Sequence, residues 1–493
     1  MDFGTDTERL GIVMIRIYTN RENYQYDLHA LFKAFYPEQE VRVYGEHMAS
    51  DGESDGSRAV IYFYDRQVEA VFDIDREKQY TNIYKNDTHV TKDILKLSVY
   101  EDLCDYTGRT LPWGNLTGIR PTKLPMGMLK EGMCDAEIIA QMKETHALSD
   151  EKAQLSLDIA KREKKILEKI HYQNGYSLYI GIPFCPTTCL YCSFTSYPIA
   201  MWRKRIDDYL QALFREIDFV SEVYREKLLD TVYIGGGTPT TLEADALDRV
   251  LLYIREKLDF SHVTEFTVEA GRADSITKEK LVVLKKHGVT RISVNPQTMK
   301  DETLKMIGRQ HTVEQVRQAF RFAREAGFDN INMDIILGLP GELEADVQHT
   351  IDEIIRLNPD SLTVHSLAIK RASRLREWIE ENGIASLKNT DSTMEIARKG
   401  SDMLGMKPYY LYRQKNMSGN FENVGYAREG KYGIYNILIM EEVQTIVALG
   451  AGSITKRVYP DGRIERCENV KDVSQYIERI GEMIERKKHL LCD

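Results

Sequence analysis

The sequence predicts an α/β fold: an open, partial (β/α)6 barrel with an N-terminal α+β domain and a C-terminal mixed and helical extension. Three observations carry this. From Tyr176 onward, short apolar runs at 178–182, 231–234, 265–268, 291–294, 332–337 and 362–367 alternate with amphipathic stretches, the rhythm of βαβ units and a parallel sheet. Six such strands are too few for a closed eight-stranded barrel. The chain has 493 residues, more than one hydrophobic core usually organises, so two or three domains are expected.

Residues 1–170 read as a small α+β domain whose role the sequence leaves open. Alternation at 12–17 predicts a strand, 28–35 a helix, 41–44 a second strand, and 60–64 with 69–74 a strand pair turned by Asp65-Arg66-Gln67. The Gly and Pro of Leu116-Thr117-Gly118-Ile119-Arg120-Pro121-Thr122 predict a structured loop. A charged helix from about 150 to 170 follows, with Lys161, Arg162, Lys164 and Lys165 as a solvated face. Residues 171–375 form the barrel, and 376–493 a further domain placed to cover its mouth.

Lys and Arg number 66 against 76 Asp and Glu, so no basic excess points to nucleic acid, and any acidic ligand must meet a local basic pocket. No apolar run is long enough to span a bilayer, and no secretory signal pattern opens the chain, so a cytoplasmic location is expected. Three of the seven cysteines fall within eight positions, which suits a metal site in a reducing compartment better than a disulfide framework. Cys104, Cys134, Cys467 and Cys492 are scattered and read as ordinary thiols.

The densest chemical signal is Cys185-Pro186-Thr187-Thr188-Cys189-Leu190-Tyr191-Cys192, directly after the first barrel strand. A cubane iron–sulfur cluster normally takes four thiolates, so three leave one iron open to an amino and a carboxylate group. A zinc site short of its fourth ligand is the rival reading. Gly235-Gly236-Gly237-Thr238-Pro239 follows the second strand, and alone would be read as a turn. Glu269, Gln297, Arg309 and Asp334 fall at or after the ends of strands three to five. Each alone reads as an interstrand partner; their shared place at strand carboxyl ends, where such folds bind ligands, singles them out.

The three-cysteine spacing resembles the signature of the radical S-adenosylmethionine (SAM) superfamily. That resemblance implies a [4Fe-4S] cluster on Cys185, Cys189 and Cys192, with the fourth iron open to SAM, whose reductive cleavage yields a 5′-deoxyadenosyl radical. It further implies that Gly236, Gly237 and Thr238 line the SAM methionine, that Arg309 binds its carboxylate, and that Asp334 and Gln297 bind the ribose. Tyr179 and Glu269 are implied as SAM contacts with catalytic roles. From Tyr176 onward the chain is similar to the oxygen-independent coproporphyrinogen III oxidase-like family: Tyr179-Ile180-Gly181-Ile182-Pro183-Phe184-Cys185 resembles its Tyr-x-His-Ile-Pro-Phe-Cys opening. Residues 116–124, Cys192-Ser193-Phe194-Thr195-Ser196-Tyr197 and Thr363-Val364-His365-Ser366-Leu367 resemble the HemZ type, called coproporphyrinogen dehydrogenase.

The resemblance implies conversion of two coproporphyrinogen III propionates to vinyl groups, giving protoporphyrinogen IX in anaerobic haem biosynthesis, with an electron donor such as flavodoxin or ferredoxin. The substrate carboxylates need Arg or Lys partners. Arg371, Arg374 and Arg413 are the candidates, with Lys370, Lys415 and Arg120 beside them in sequence or loop position. Two departures bear on the reaction: Gly181 stands where the family has His, and Phe194 where the decarboxylases have a further Cys. The haem-chaperone branch also has an aromatic there, but its His-Asn-x-x-Tyr-Trp motif is replaced by Tyr435-Asn436-Ile437-Leu438-Ile439-Met440. Three readings stay open: the decarboxylating dehydrogenase, another radical SAM enzyme on a tetrapyrrole (for example haem ring opening), and a non-enzymatic haem carrier.

Overall fold

The computed structural model describes residues 14–492 apart from 38, 46–56, 76, 77, 88, 119, 371, 372, 384–386 and 414–420. The chain divides into two compact units, Met1–Lys161 with Tyr412–Phe421, and Arg162–Leu411 with Glu422–Asp493. This differs from the sequence division at 170 and 375. The stretch from Arg162 already belongs to the second unit, and most of the C-terminal segment shares a sheet with the barrel instead of forming a body of its own.

The first unit is built on a five-stranded sheet of β1 (Met14–Thr19), β2 (Glu40–Gly45), β3 (Arg58–Tyr64), β4 (Gln67–Asp75) and β5 (Lys78–Lys85), in the order β2-β1-β3-β4-β5. Burial alternates along β3 and β4, and their inward residues Ala59, Ile61, Val68 and Phe72 join Leu28, Phe32, Leu95 and Val99 from helices Gln25–Phe35 and Lys92–Thr107 in one core. The expected helix, the strands at 41–44, 60–64 and 69–74 and the turn at Asp65 are present, and β1 covers the described part of the strand expected at 12–17, whose residues 12 and 13 lie outside the described residues; β5 has no counterpart in the sequence reading. It is a largely exposed edge strand with lysines at both ends, and such a sequence carries no apolar alternation to read.

The second unit holds β6 (Gly175–Ile182), β7 (Phe184–Cys185), β8 (Tyr197–Pro198), β9 (Leu228–Gly236), β10 (Glu265–Gly271), β11 (Arg291–Val294), β12 (Ile331–Leu337), β13 (Ser361–Ser366), β14 (Lys407–Tyr412), β15 (Asn423–Ala427), β16 (Thr445–Leu449), β17 (Ile454–Val458) and β18 (Ile464–Glu468). All but β7 and β8 form one sheet, ordered β14-β15-β13-β12-β11-β10-β9-β6-β16-β17-β18. The six expected strands, β6 and β9 to β13, lie side by side and parallel, and are buried along both faces, which explains their continuous apolar runs. Crossover helices join them. Val313–Glu325 is representative: Thr312 and Gln315 form a capping box, and Val313, Val316, Ala319, Phe320 and Ala323 make a buried stripe at helical spacing. Beyond the six, β16 runs parallel to β6 and β15 antiparallel to β13, so the C-terminal segment extends both edges of the sheet.

The last helix, Ile480–Cys492, is fastened by a fully buried ion pair. Lys487 Nζ lies 2.6 Å from Glu216 Oε1 on helix Ile206–Val223, with both side chains at 0% exposure. Glu216 also accepts from Gly450 N at 2.8 Å, Asn469 Nδ2 at 2.9 Å and the Tyr476 hydroxyl, and Lys487 donates in addition to Asn469 Oδ1. Among the described residues no helix is long and apolar enough to cross a membrane.

Candidate cluster and cofactor site

The cysteine loop leaves the carboxyl end of β6 and is closed by the short parallel pair of β7 and β8. It is pinned from several sides. Tyr197 N donates to Pro183 O at 2.8 Å, Leu190 N to Ile307 O at 3.0 Å, Leu375 N to Leu190 O at 3.0 Å, and Thr187 Oγ1 to Gly308 O at 2.8 Å. Cys189 is buried and Cys185 and Cys192 are half-buried. Burial, with the neighbouring thiols Cys189 and Cys192, pushes the Cys185 thiol up to about 11, and burial likewise raises Cys192. Three crowded thiols, with the guanidinium of Arg272 3.9 Å from Cys189 Sγ, suit a group that brings its own positive charge. Among the described residues no three His, Cys, Asp or Glu side chains form a single-ion site. A cubane cluster fits this loop, because it takes one thiolate on each of three separate irons.

The glycine run at the end of β9 is shaped by close approach. A Cβ on Gly237 would sit 2.6 Å from Phe184 O and 2.7 Å from Ile182 O, and one on Gly236, at φ +102°, would sit 2.9 Å from the Tyr179 hydroxyl. The missing side chains therefore first let the cluster-bearing strand and Tyr179 pack. Thr238 Oγ1 lies 3.6 Å from Cys185 Sγ. Glu269, near the end of β10, accepts from Tyr233 OH at 2.5 Å and from Gly236 N at 3.3 Å. Burial raises it to about 7, against the lowering effect of the Tyr233 hydrogen bond. Tyr179, Tyr233 and Tyr435 stack beside it, with ring centroids 4.4 Å apart between Tyr233 and Tyr435.

Past β11, Gln297 adopts φ +69°, a conformation costly for a residue with a side chain. It is held there by the ladder to β12, Gln297 N donating to Asp334 O and Ile336 N to Gln297 O, both at 2.9 Å. Arg309 donates to Asn295 O and, at 3.2 Å, to the Tyr191 hydroxyl. Asp334 accepts from Asn332 Nδ2 at 2.6 Å and faces His365 Nε2 at 3.8 Å. Burial works to raise Asp334, but His365, Asn332 and Thr363 outweigh it and hold the carboxyl below its usual range. Ser293 Oγ, Asn295 Oδ1, Gln297 Oε1 and Arg309 Nε are buried with no hydrogen-bond partner among the described residues. Such atoms are costly unless a ligand satisfies them. Arg309 Nε fits the methionine carboxylate of SAM, and Gln297 and Asp334 fit a ribose diol.

The substrate candidates separate. Arg374 donates to Thr188 O at 2.6 Å, so its guanidinium braces the cysteine loop. Lys370 lies over the Phe194 ring at 5.3 Å. Arg371 and Lys415 lie outside the described residues. Arg413 belongs to the first unit, where it is buried, donates to Leu116 O and lies 5.4 Å over Trp113. Sequence reasoning missed Tyr233, Tyr191 and Arg272. Tyr233 was legible in principle, standing two residues before the glycine run on the same strand; Arg272 was signalled only by its place one residue past the end of β10.

A pH-dependent result follows from Glu269. Its folded-state value of about 7 lies above the ordinary value of about 4.5, so the folded chain holds that proton more tightly and loses stability as pH rises through this interval. Glu269→Gln, which still accepts from Tyr233, is expected to be more stable than the parent by on the order of 2 kcal/mol above pH 7, the gain fading to nothing below about pH 4.5. Urea unfolding of both proteins at pH 5 and pH 8 checks this; an equal difference at both values would contradict it.

Comparison with known proteins agrees with this geometry. Residues 179–354 match the radical SAM superfamily. Over 389 residues the chain is 43% identical to the oxygen-independent coproporphyrinogen-III oxidase-like protein HemZ of Bacillus subtilis, covering 78% of this chain and 77% of that one. It is 39% identical over 195 residues to the heme chaperone HemW of the same organism, covering 39% of this chain and 51% of the relative. The structure of the coproporphyrinogen III oxidase HemN from Escherichia coli superposes with a TM-score of 0.52 at 21% identity, over 65% of this chain and 73% of that one, a likeness of fold. The cysteine loop, the strand-end residues and these similarities together establish that the chain belongs to the radical SAM superfamily and, within it, to the oxygen-independent coproporphyrinogen-III oxidase-like family that includes HemZ.

Proposed function

We propose that the chain is a cytoplasmic radical SAM oxidoreductase that converts coproporphyrinogen III propionates to vinyl groups, yielding protoporphyrinogen IX. The observation that carries the enzymatic reading is the group of buried, unsatisfied polar atoms beside Glu269 and Asp334, a polar lining that calls for SAM rather than for an apolar macrocycle alone. When bound, the cluster and SAM supply a hydrogen-abstracting 5′-deoxyadenosyl radical. Arg309 orients the methionine carboxylate, with Tyr191 fixing the plane of its guanidinium. Asp334, held ionised, and Gln297 orient the ribose hydroxyls. Glu269 sits close enough to neutral to hold or release a proton at working pH, and Tyr233 fixes which oxygen is presented. Tyr179, Tyr233 and Tyr435 wall the site against water, a source of hydrogen atoms that would quench the chemistry. Per propionate, the substrate loses a hydrogen atom, CO₂ and one electron to an acceptor; a low-potential flavodoxin or ferredoxin provides the electron for SAM cleavage. Lys370 is the cation we assign to a propionate, Arg374 being committed to the cysteine loop.

The haem-carrier reading draws on the similarity to HemW and on Phe194. Against it, Tyr435, where that branch has its motif histidine, is spent in the tyrosine stack. An anaerobic assay of the reconstituted protein with SAM, a low-potential reductant and coproporphyrinogen III separates the readings. Accumulation of 5′-deoxyadenosine together with mono- and di-decarboxylated porphyrinogens is expected. SAM cleavage with the porphyrinogen left intact would move the reaction to another tetrapyrrole, with haem tried next. Stoichiometric haem binding without SAM cleavage would overturn the enzymatic reading.

A further inference from the structure

β10 loses register with β11 between Glu269 and Gly271, and Gly271, at φ +58°, turns the chain beneath the cysteine loop. A bulge at such a place re-aims the next side chain, here Arg272, which is 3% exposed. Its Nη1 donates to Thr187 O at 3.0 Å and Thr187 Oγ1 at 2.8 Å, and lies 3.9 Å from Cys189 Sγ. Its opposite edge forms a fork with Asp274, Nε to Oδ1 at 3.0 Å and Nη2 to Oδ2 at 2.6 Å. His311 Nδ1 stands 3.6 Å from Asp274 Oδ1 on the far side. The pair is formally neutral, but it is a dipole in a water-poor setting, and its positive end faces a cluster ligand.

We infer that Arg272 is a positioning residue that sets the reduction potential of the cluster: it fixes the loop between Cys185 and Cys189 through Thr187, and with Asp274 it holds positive charge beside the Cys189 sulfur. The inference rests on the cluster site and is independent of the porphyrinogen reaction. Reduction adds negative charge to the cluster and its thiolates, and a fixed dipole with its positive end at Cys189 favours that state. Asp274 masks part of the charge, so the two partners act with opposite sign.

The test is a redox titration of the anaerobically reconstituted full-length protein, following the reduced cluster by electron paramagnetic resonance, with iron content measured alongside. Arg272→Gln is expected to lower the ratio of reduced to oxidised cluster at a fixed potential roughly tenfold, with Arg272→Lys in between. Asp274→Asn, which unmasks the guanidinium, is expected to raise the same ratio. A purely structural role would lower cluster content in both variants and leave the potential of the remaining clusters unmoved. An unchanged potential in fully loaded Arg272→Gln, or shifts of the same sign in the two variants, would overturn the proposal. Should Arg272→Gln fail to load, Asp274→Asn decides alone, since only a rise supports the inference. If the parent itself fails to take up four irons, it is the cluster reading that fails.

Discussion

Cys189→Ala is expected to leave a folded chain that retains no four-iron cluster and cleaves SAM at background level. Cys189 is the most buried of the three thiols, at 9% exposure, and the sulfur that Arg272 approaches. Two remaining thiols cannot hold a cubane that must also keep one iron open. The fold should survive, because the loop is fastened by backbone bonds that do not involve the sulfur, among them Tyr197 N to Pro183 O and Leu190 N to Ile307 O. Losing the buried sulfur costs on the order of 1 kcal/mol. Iron analysis, visible absorption and 5′-deoxyadenosine formation, with circular dichroism as the folding control, are the measurements. A variant that kept its four irons and cleaved SAM would remove Cys189 from the ligand set.

Lys487→Met should be the most destabilising single change outside the site, by about 3–5 kcal/mol, because it strands the Glu216 carboxylate in the core with its counter-charge gone. The remaining donors from Asn469, Gly450 and Tyr476 solvate that carboxylate but do not neutralise it. Glu216→Gln in the same chain should recover a substantial part of the loss, since replacing both charges of a buried pair is far cheaper than removing one. Urea unfolding of the two single variants and the double completes the cycle. Additive losses would mean that the pair is not coupled.

What the sequence disclosed follows physical lines. The six parallel strands were legible because burial on both faces turns each into an apolar run, and the cysteines because their spacing is short and local. Thr445–Leu449 is just as apolar, yet its partner is β6, more than 260 residues earlier, and no local pattern announces a pairing at that range. The C-terminal segment was therefore read as a separate cover although it builds both edges of the sheet. Lys487 stands in Glu485-Arg486-Lys487-Lys488, which reads as a solvated face; only the packing of helix Ile480–Cys492 on Ile206–Val223 puts it inside. Arg413 shows the reverse case, a cation beside tyrosines in the sequence that the fold places against Leu116 and Trp113, contacts that no local pattern announces. Arg272 escaped notice because its meaning lies in a bulge, and register is invisible in a single sequence.

The pairing of β16 with β6 also has a temporal side. The ribosome delivers Cys185, Cys189 and Cys192 long before Thr445–Leu449, and until the later strand arrives the cluster-bearing strand has one unpaired edge, the kind of edge that recruits other chains. At about 5–20 residues per second, that interval lasts on the order of tens of seconds. During it the three thiols emerge ahead of the framework that separates and fixes them, open to oxidation and to the wrong metal. A chain stalled before Thr445 would keep that edge of β6 open, and is expected to aggregate more readily than the finished polypeptide.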